Sequence, residues 1–188
     1  QVQQDPHVEP EVSIYDVGDD SVRRVPRLRE VLAPSPEAAS FDVGRTFVIT
    51  GGLSGFGLRT AVWMCERGAK HFALLSRSGA VQESDASSVA DWKRLQSFPD
   101  VSACALACDI SDADAVRLAL EQIEGNGMPP LGGVIHAAGV LSDALLEKQS
   151  AESLRAVHAP KVDGVYNLHE ATASCDPPLQ IFVVFSSV

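Results

Sequence analysis

The stretch Thr46-Phe47-Val48-Ile49-Thr50-Gly51-Gly52-Leu53-Ser54-Gly55-Phe56-Gly57 leaves this chain few folds to choose from. It opens as a short apolar, β-branched run, which predicts a buried strand. Four glycines then fall between Gly51 and Gly57. A helical pattern follows at once, with Leu58, Ala61, Val62 and Cys65 at the i, i+3, i+4, i+7 positions of one face. Strand, glycine turn and helix start, in that order, make a phosphate cradle. The turn must be tight, the backbone must come close to a pyrophosphate, and the helix N-terminus offers unpaired N–H groups and a positive dipole end. Thr50, Gly51, Gly52, Leu53, Ser54, Gly55, Phe56 and Gly57 are therefore candidate cofactor-binding residues. An isolated glycine-rich turn would carry no such meaning; the flanking strand and helix supply it.

The rest of the chain keeps the same rhythm. The first helix is expected to end at Gly68. His71 to Ser76 reads as a second strand, and a polar loop over 78–87 leads to a short helix marked by Val89, Trp92 and Leu95. Val101 to Cys108 is a third strand. Ser111 is placed to cap the next helix, with Asp114 at its N3 position and Val116, Ala119, Leu120 and Ile123 as its buried stripe. Gly132 to His136 is a fourth strand, followed by helices over 150–158 and 160–174, with Pro160 in the first turn of the second. Ile181 to Phe185 is a fifth. Such alternation predicts an α/β fold of Rossmann type, a doubly wound parallel sheet between two helix layers with right-handed crossovers. The expected strand order is 3-2-1-4-5, with the fifth strand an exposed edge and the fold truncated at its C-terminal side.

Ahead of this unit, residues 1–11 are polar and acidic with two prolines and read as a disordered or linking lead-in. Val12 to Tyr15 and Val22 to Leu28 are short strands around a turn at Asp16 to Asp20, and Pro26 confines the second to an edge or a strand end. A lone hairpin is marginal in water, so this one is expected to belong to a larger sheet. Residues 33–42 read as a linker. The division expected is 1–44 for linker and hairpin and 45–188 for the nucleotide-binding unit.

A chain of 188 residues can bury one sizeable core, and a net charge of −10 argues against nucleic acid or an anionic membrane as the main partner. Cys65, Cys104, Cys108 and Cys175 are scattered without metal-ligand spacing and read as reduced core thiols, which with the lack of a signal or spanning segment points to a cytoplasmic protein. Gln1 in place of Met suggests a piece of something longer.

Ligands of doubly wound sheets sit beyond the C-terminal ends of the strands. After the second strand comes Ser76-Arg77-Ser78. An acidic residue there would select NAD; Arg77 can instead pair with the 2′-phosphate of NADP and stack on adenine. After the third comes Asp109-Ile110, where a carboxylate can accept from the adenine amino group and the aliphatic side chain can cover the ring; Asp109 is equally suited to capping a helix. After the fourth, Ala137-Ala138-Gly139 makes a ledge of small residues that a cofactor ribose can approach.

The glycine turn resembles that of the short-chain dehydrogenase/reductase superfamily. Leu74 to Gly79, Gly133 to Val140, Pro160-Lys161-Val162-Asp163-Gly164 and Val184-Phe185-Ser186-Ser187-Val188, in this order and spacing, are similar to the ketoreductase domain of modular polyketide synthases and animal-type fatty acid synthases. The resemblance covers 45–188, and the hairpin resembles the end of the structural subdomain that precedes the catalytic one. It implies reduction of a β-ketoacyl thioester on an acyl carrier protein to the β-hydroxyacyl thioester, with NADPH as cofactor and other domains of a parent synthase as neighbours. Lys161 matches the family lysine and Ser187 its serine, with Ser186 the second choice. Lys161 would lower a tyrosine pKa and sustain a proton relay, and Ser187 would bond the substrate carbonyl. The family tyrosine and asparagine are expected past Val188, which would leave these residues alone inactive; Tyr15 and Tyr166 match neither. Leu141-Ser142-Asp143 partly resembles the motif of ketoreductases giving a D-hydroxy product. Two rival readings are a nucleotide-binding scaffold without catalysis and another short-chain reductase or epimerase. Sequence past Val188 separates them.

Overall fold

The computed structural model describes residues 13–17, 20–24 and 40–186. The chain divides into two compact units, Gln1–Glu37 and Ala38–Val188. In the first, β1 (Ser13–Val17) pairs antiparallel with β2 (Asp20–Arg24). The hairpin is tighter than the sequence predicts. Val17 stands opposite Asp20, so Asp16, Val17 and Asp20 are strand residues rather than turn, and β2 begins two positions before Val22. Only two residues then separate the paired ends, the connection length that best suits the twist of an antiparallel pair. Val25 to Leu28, the lead-in and most of the expected linker lie outside the described residues.

The second unit is the doubly wound sheet. Its strands are β3 (Thr46–Thr50), β4 (His71–Ser76), β5 (Ser102–Ala107), β6 (Leu131–His136) and β7 (Ile181–Val184). They run in the order β5-β4-β3-β6-β7, all parallel, so the order expected from the sequence is the one observed. The helices are α1 (Gly55–Cys65), α2 (Ala86–Ser97), α3 (Ala113–Gly125), α4 (Ala151–Lys161) and α5 (Asp163–Thr172).

The central strand is buried along its whole length, as a strand covered on both faces must be. Its side chains alternate between two cores. Phe47 and Ile49, with Phe72 and Leu74 of β4, meet Leu58, Ala61, Val62 and Cys65 of α1 and Leu95 of α2. Val48, with Ala73 and Leu75, meets Val116, Ala119 and Ile123 of α3 and Leu168 of α5. The period of two in the strands therefore sets which helix lies on which face. The apolar stripes predicted for α1 and α3 are the buried ones, with Leu120 at the margin. Truncating a fully buried ring such as Phe47 would cost about 3–5 kcal/mol. On the outer edge, Val183 and Val184 of β7 are 40% and 42% exposed.

Local differences from the sequence reading have physical reasons. Regular α1 stops at Cys65, and Gly68 closes the turn after it: at φ +102° its N–H bonds the Cys65 carbonyl while the Ala69 N–H bonds that of Met64. Asp112, not Ser111, caps α3 by accepting from the N–H groups of Asp114 and Ala115. Ser111 is unavailable because its hydroxyl and N–H both bond Asp109 Oδ1, at 2.6 and 3.0 Å. Pro160 lies in the last turn of α4, not the first of the following helix. The break comes at Val162, which ends α4 and starts α5. Phe41, expected in a linker, packs edge-on against Phe47 and Trp63 at 5.4 and 5.7 Å.

Candidate active site

Every candidate residue on β3, β4, β5 and β6 sits at or just past the C-terminal end of its strand. The glycine turn carries the tightest geometry. Gly51 and Gly55 adopt positive φ, +64° and +49°. A Cβ on Gly51 would stand 2.9 Å from the Ala137 carbonyl oxygen, and one on Gly57 would strike the Gly51 carbonyl. Those glycines close the turn on itself and on the ledge after β6. Gly55 differs: nothing lies within 4 Å of the position its Cβ would take. Ser54 precedes α1 without a side-chain capping bond, and the first turn carries no acidic residue. Unfilled space before an uncapped, positive helix end fits an anionic pyrophosphate. Phe56 is 81% exposed beside it, whereas the Leu53 side chain is buried in the core on the α1 face and leaves only backbone for a ligand.

Thr50 turns inward. Its hydroxyl accepts from the Ala138 N–H at 3.3 Å and lies 2.7 Å from His136 Nδ1, while its carbonyl accepts from the Ala137 N–H at 3.1 Å. Thr50 thus ties the ends of β3 and β6 together. His136 is fully buried with Nε2 unpartnered; the Pro160 carbonyl approaches without hydrogen-bond geometry. Burial, and then the charge of Lys161, hold the imidazole below its ordinary pKa and keep it neutral.

Past β4, Ser76 Oγ accepts from the Gly79 N–H at 3.1 Å and Gly79, at φ +66°, lies against Ala107. This folds the Ser76 to Gly79 turn onto the end of β5 and presents Arg77 to solvent. Past β5, Asp109 has a lowered pKa, chiefly through the two bonds from Ser111 and further through the charge of Arg77. Arg77 and Asp109 therefore share one neighbourhood, with Ile110 buried behind them.

Lys161 reaches from the end of α4 to the end of β7, where Nζ donates to the Phe185 carbonyl at 3.2 Å. A Cβ on Gly139 would meet Lys161 Cε at 2.9 Å, so any larger residue there would have to displace the end of the lysine side chain. The elements form one continuous chain of close approach: Gly51 on the Ala137-Ala138 ledge, Gly139 on Lys161, and Lys161 on Phe185, next to Ser186. Ser187 lies outside the described residues. Tyr166 is exposed on α5. Sequence reasoning missed His136 and Asn167, whose Nδ2 donates to the Ile110 carbonyl at 2.9 Å. Neither carries a signal by residue type; only the pairing of strand ends brings them in. A cavity of about 800 Å³ lies between α3 and α5, walled by Leu120, Ile123, Met128 and Ala171; Asn167 borders it, and none of the candidate site residues read from the sequence does.

A parallel sheet in this order with this turn defines a nicotinamide-nucleotide-binding fold of the short-chain dehydrogenase/reductase class. Residues 45–188 match the KR domain family. The chain is 36% identical over 181 residues to a 6-methylsalicylic acid synthase of Arthrobotrys oligospora, covering 89% of this chain and 10% of that protein. It is 41% identical over 144 residues to a hybrid PKS-NRPS synthetase of Aspergillus violaceofuscus, covering 77% of this chain and 4% of that one. Among solved structures, an N-terminal ketoreductase from the macrolactin assembly line superposes with a TM-score of 0.69 at 28% identity, over 89% of this chain and 31% of that chain. The chain thus spans a tenth or less of the two synthases it matches. It belongs to the KR family, the ketoreductase domains of polyketide synthases.

Proposed function

We propose that this chain is the NADPH-binding half of a ketoreductase that reduces a β-ketoacyl thioester, carried on an acyl carrier protein, to the β-hydroxyacyl thioester within a polyketide synthase. The observation that carries the reading is the unbroken run from the glycine turn across Ala137-Ala138-Gly139 to Lys161 and Phe185. It supports a cofactor laid from the Arg77 end of the sheet towards the lysine. NADPH, when bound, supplies the hydride. The first turn of α1 and Gly55 receive the pyrophosphate, and Ala137 to Gly139 leave room for the ribose next to the lysine. Arg77 takes the 2′-phosphate, and Asp109 with Ile110 takes the adenine. Lys161 holds a positive charge where the ketone oxygen gains electrons and favours the ionised form of a neighbouring acid, lowering its pKa. Ser187 orients the carbonyl. The division of the chain at residue 44, and neighbouring synthase domains as partners, belong to the same proposal.

The test supplies the full-length protein with NADPH and the N-acetylcysteamine thioester of a β-ketoacid. NADPH consumption with recovery of the β-hydroxy thioester is the expected result. NADPH binding without turnover would leave a nucleotide-binding scaffold instead.

A further inference from the structure

We propose that Asn167 is a positioning residue for the adenosine half of the dinucleotide, acting through the backbone of Ile110. The proposal rests on the dinucleotide reading above and adds to it a residue that no sequence motif singles out.

Two residues of α5, one turn apart, grip the same point of the loop after β5. Asn167 Nδ2 donates to the Ile110 carbonyl at 2.9 Å. A Cβ on Gly164 would come within 2.8 Å of Ile110 Cδ1, so the missing side chain is the room Ile110 occupies. Positions three apart on a helix share a face, and here that face closes on backbone and side chain of a single residue. Ile110 is consequently buried, among Val116 and Leu168. Just before it, Asp109 is fixed by the two Ser111 bonds and sits within the field of Arg77. Two of the three groups assigned to the adenosine end, Asp109 and Ile110, therefore hang on a loop whose inner side is pinned by α5, and Arg77 faces that loop from the turn after β4. The same helix face also touches the imidazole: the Gly164 Cβ position is 3.6 Å from His136 Cε1.

Asn167 is suited to the task because the Ile110 carbonyl needs a donor that the sheet does not provide. A loop carbonyl held by a side-chain amide keeps one orientation; released, the loop samples others and the ligand must reorder it on binding. The effect belongs to the adenosine half alone, since the pyrophosphate and nicotinamide positions are built by β3, α1, β6 and α4.

The experiment compares Asn167→Ala and Asn167→Asp with the parent in the full-length protein. The second keeps the size but places an acceptor against the carbonyl. Affinity is measured by calorimetry for NADPH, for adenosine 2′,5′-bisphosphate and for reduced nicotinamide mononucleotide. Both variants should bind the first two about five- to tenfold more weakly and the mononucleotide unchanged. Without any ligand, amide hydrogen exchange over 109–112 should quicken while β3 and β4 stay protected. Equal losses for both halves would reduce Asn167 to a general structural role. Unchanged exchange over 109–112, or unchanged affinity for the bisphosphate, overturns the proposal while leaving the dinucleotide reading intact. A parent protein that binds no NADPH removes both.

Discussion

Gly55 and Gly57 lie two residues apart, yet the structure assigns them opposite vulnerabilities. An alanine at Gly57 drives its methyl into the Gly51 carbonyl, 2.8 Å from the carbonyl carbon and 3.1 Å from Gly52 Cα. All three atoms are backbone of a closed turn and cannot swing aside. The cost lies at the upper end of the usual overpacking range, about 3 kcal/mol, which lowers the melting temperature by roughly 6–12 °C for a unit of this size. At Gly55 a Cβ meets nothing within 4 Å, so the stability cost of a valine comes chiefly from φ +49°, about 1–2 kcal/mol. Its side chain, however, fills the space before α1. Two charge-assisted bonds from helix N–H groups to a pyrophosphate are worth about 3 kcal/mol or more together, so affinity should drop by about 100-fold or beyond. Thermal melts and NADPH fluorescence titrations on both variants separate the two effects. Gly57→Ala should lose mainly stability and Gly55→Val mainly affinity. A folded Gly55→Val protein with parental affinity would falsify the cradle and place the pyrophosphate elsewhere.

Three further outcomes follow from the same geometry. Arg77→Ala should lose about 1.5–3 kcal/mol of NADPH binding with little change for NADH; a retained preference in parallel titrations means another residue reads the 2′-phosphate. The folded state resists protonating His136, so melting temperature should fall as pH drops through the ordinary imidazole value of 6.5, and His136→Gln should flatten the profile between about pH 5 and 7; an unaltered slope in that variant assigns the dependence to other groups. Burial, then Asp109 and Asp112, push the Cys108 thiol up to about 11, so iodoacetamide at neutral pH should leave it unmodified in the folded protein, as mass spectrometry of peptides can show.

The sheet was legible because its signals repeat. From β3 to β6 each strand is a largely apolar run closed by a small or polar residue, and the run from Thr46 to Thr50 leads straight into the glycine turn. Arg77 and the Gly51 to Gly57 turn were legible because their positions follow from strand ends alone. What escaped notice depends on distance in sequence. Asn167 meets Ile110 across 57 positions, and His136 meets Thr50 across 86. No local pattern encodes such pairs. Pro160 misled because a proline is tolerated in the last turn of α4, where Ser150 and Ser153 cap the other end reciprocally and hold the helix in register. Ser111 misled because a competing partner, Asp109, lies two residues away and captures its hydroxyl.

With Lys161 in its proposed role, its contact with the Phe185 carbonyl makes readiness a matter of timing. The lysine is anchored not by its own helix but by the chain that follows β7, which comes later in the sequence than the other four described strands of the sheet. During synthesis the glycine turn, the Arg77 turn and the ledge can all form while that strand is still in the ribosome. A nascent domain would thus take up nucleotide before its lysine is seated. Separation of β7 from β6 would unseat Lys161 while the cores around Phe47 and Val48 stayed intact. On warming, any parting of β7 from β6 should therefore release the lysine before the cores melt, with that pairing acting as the fuse.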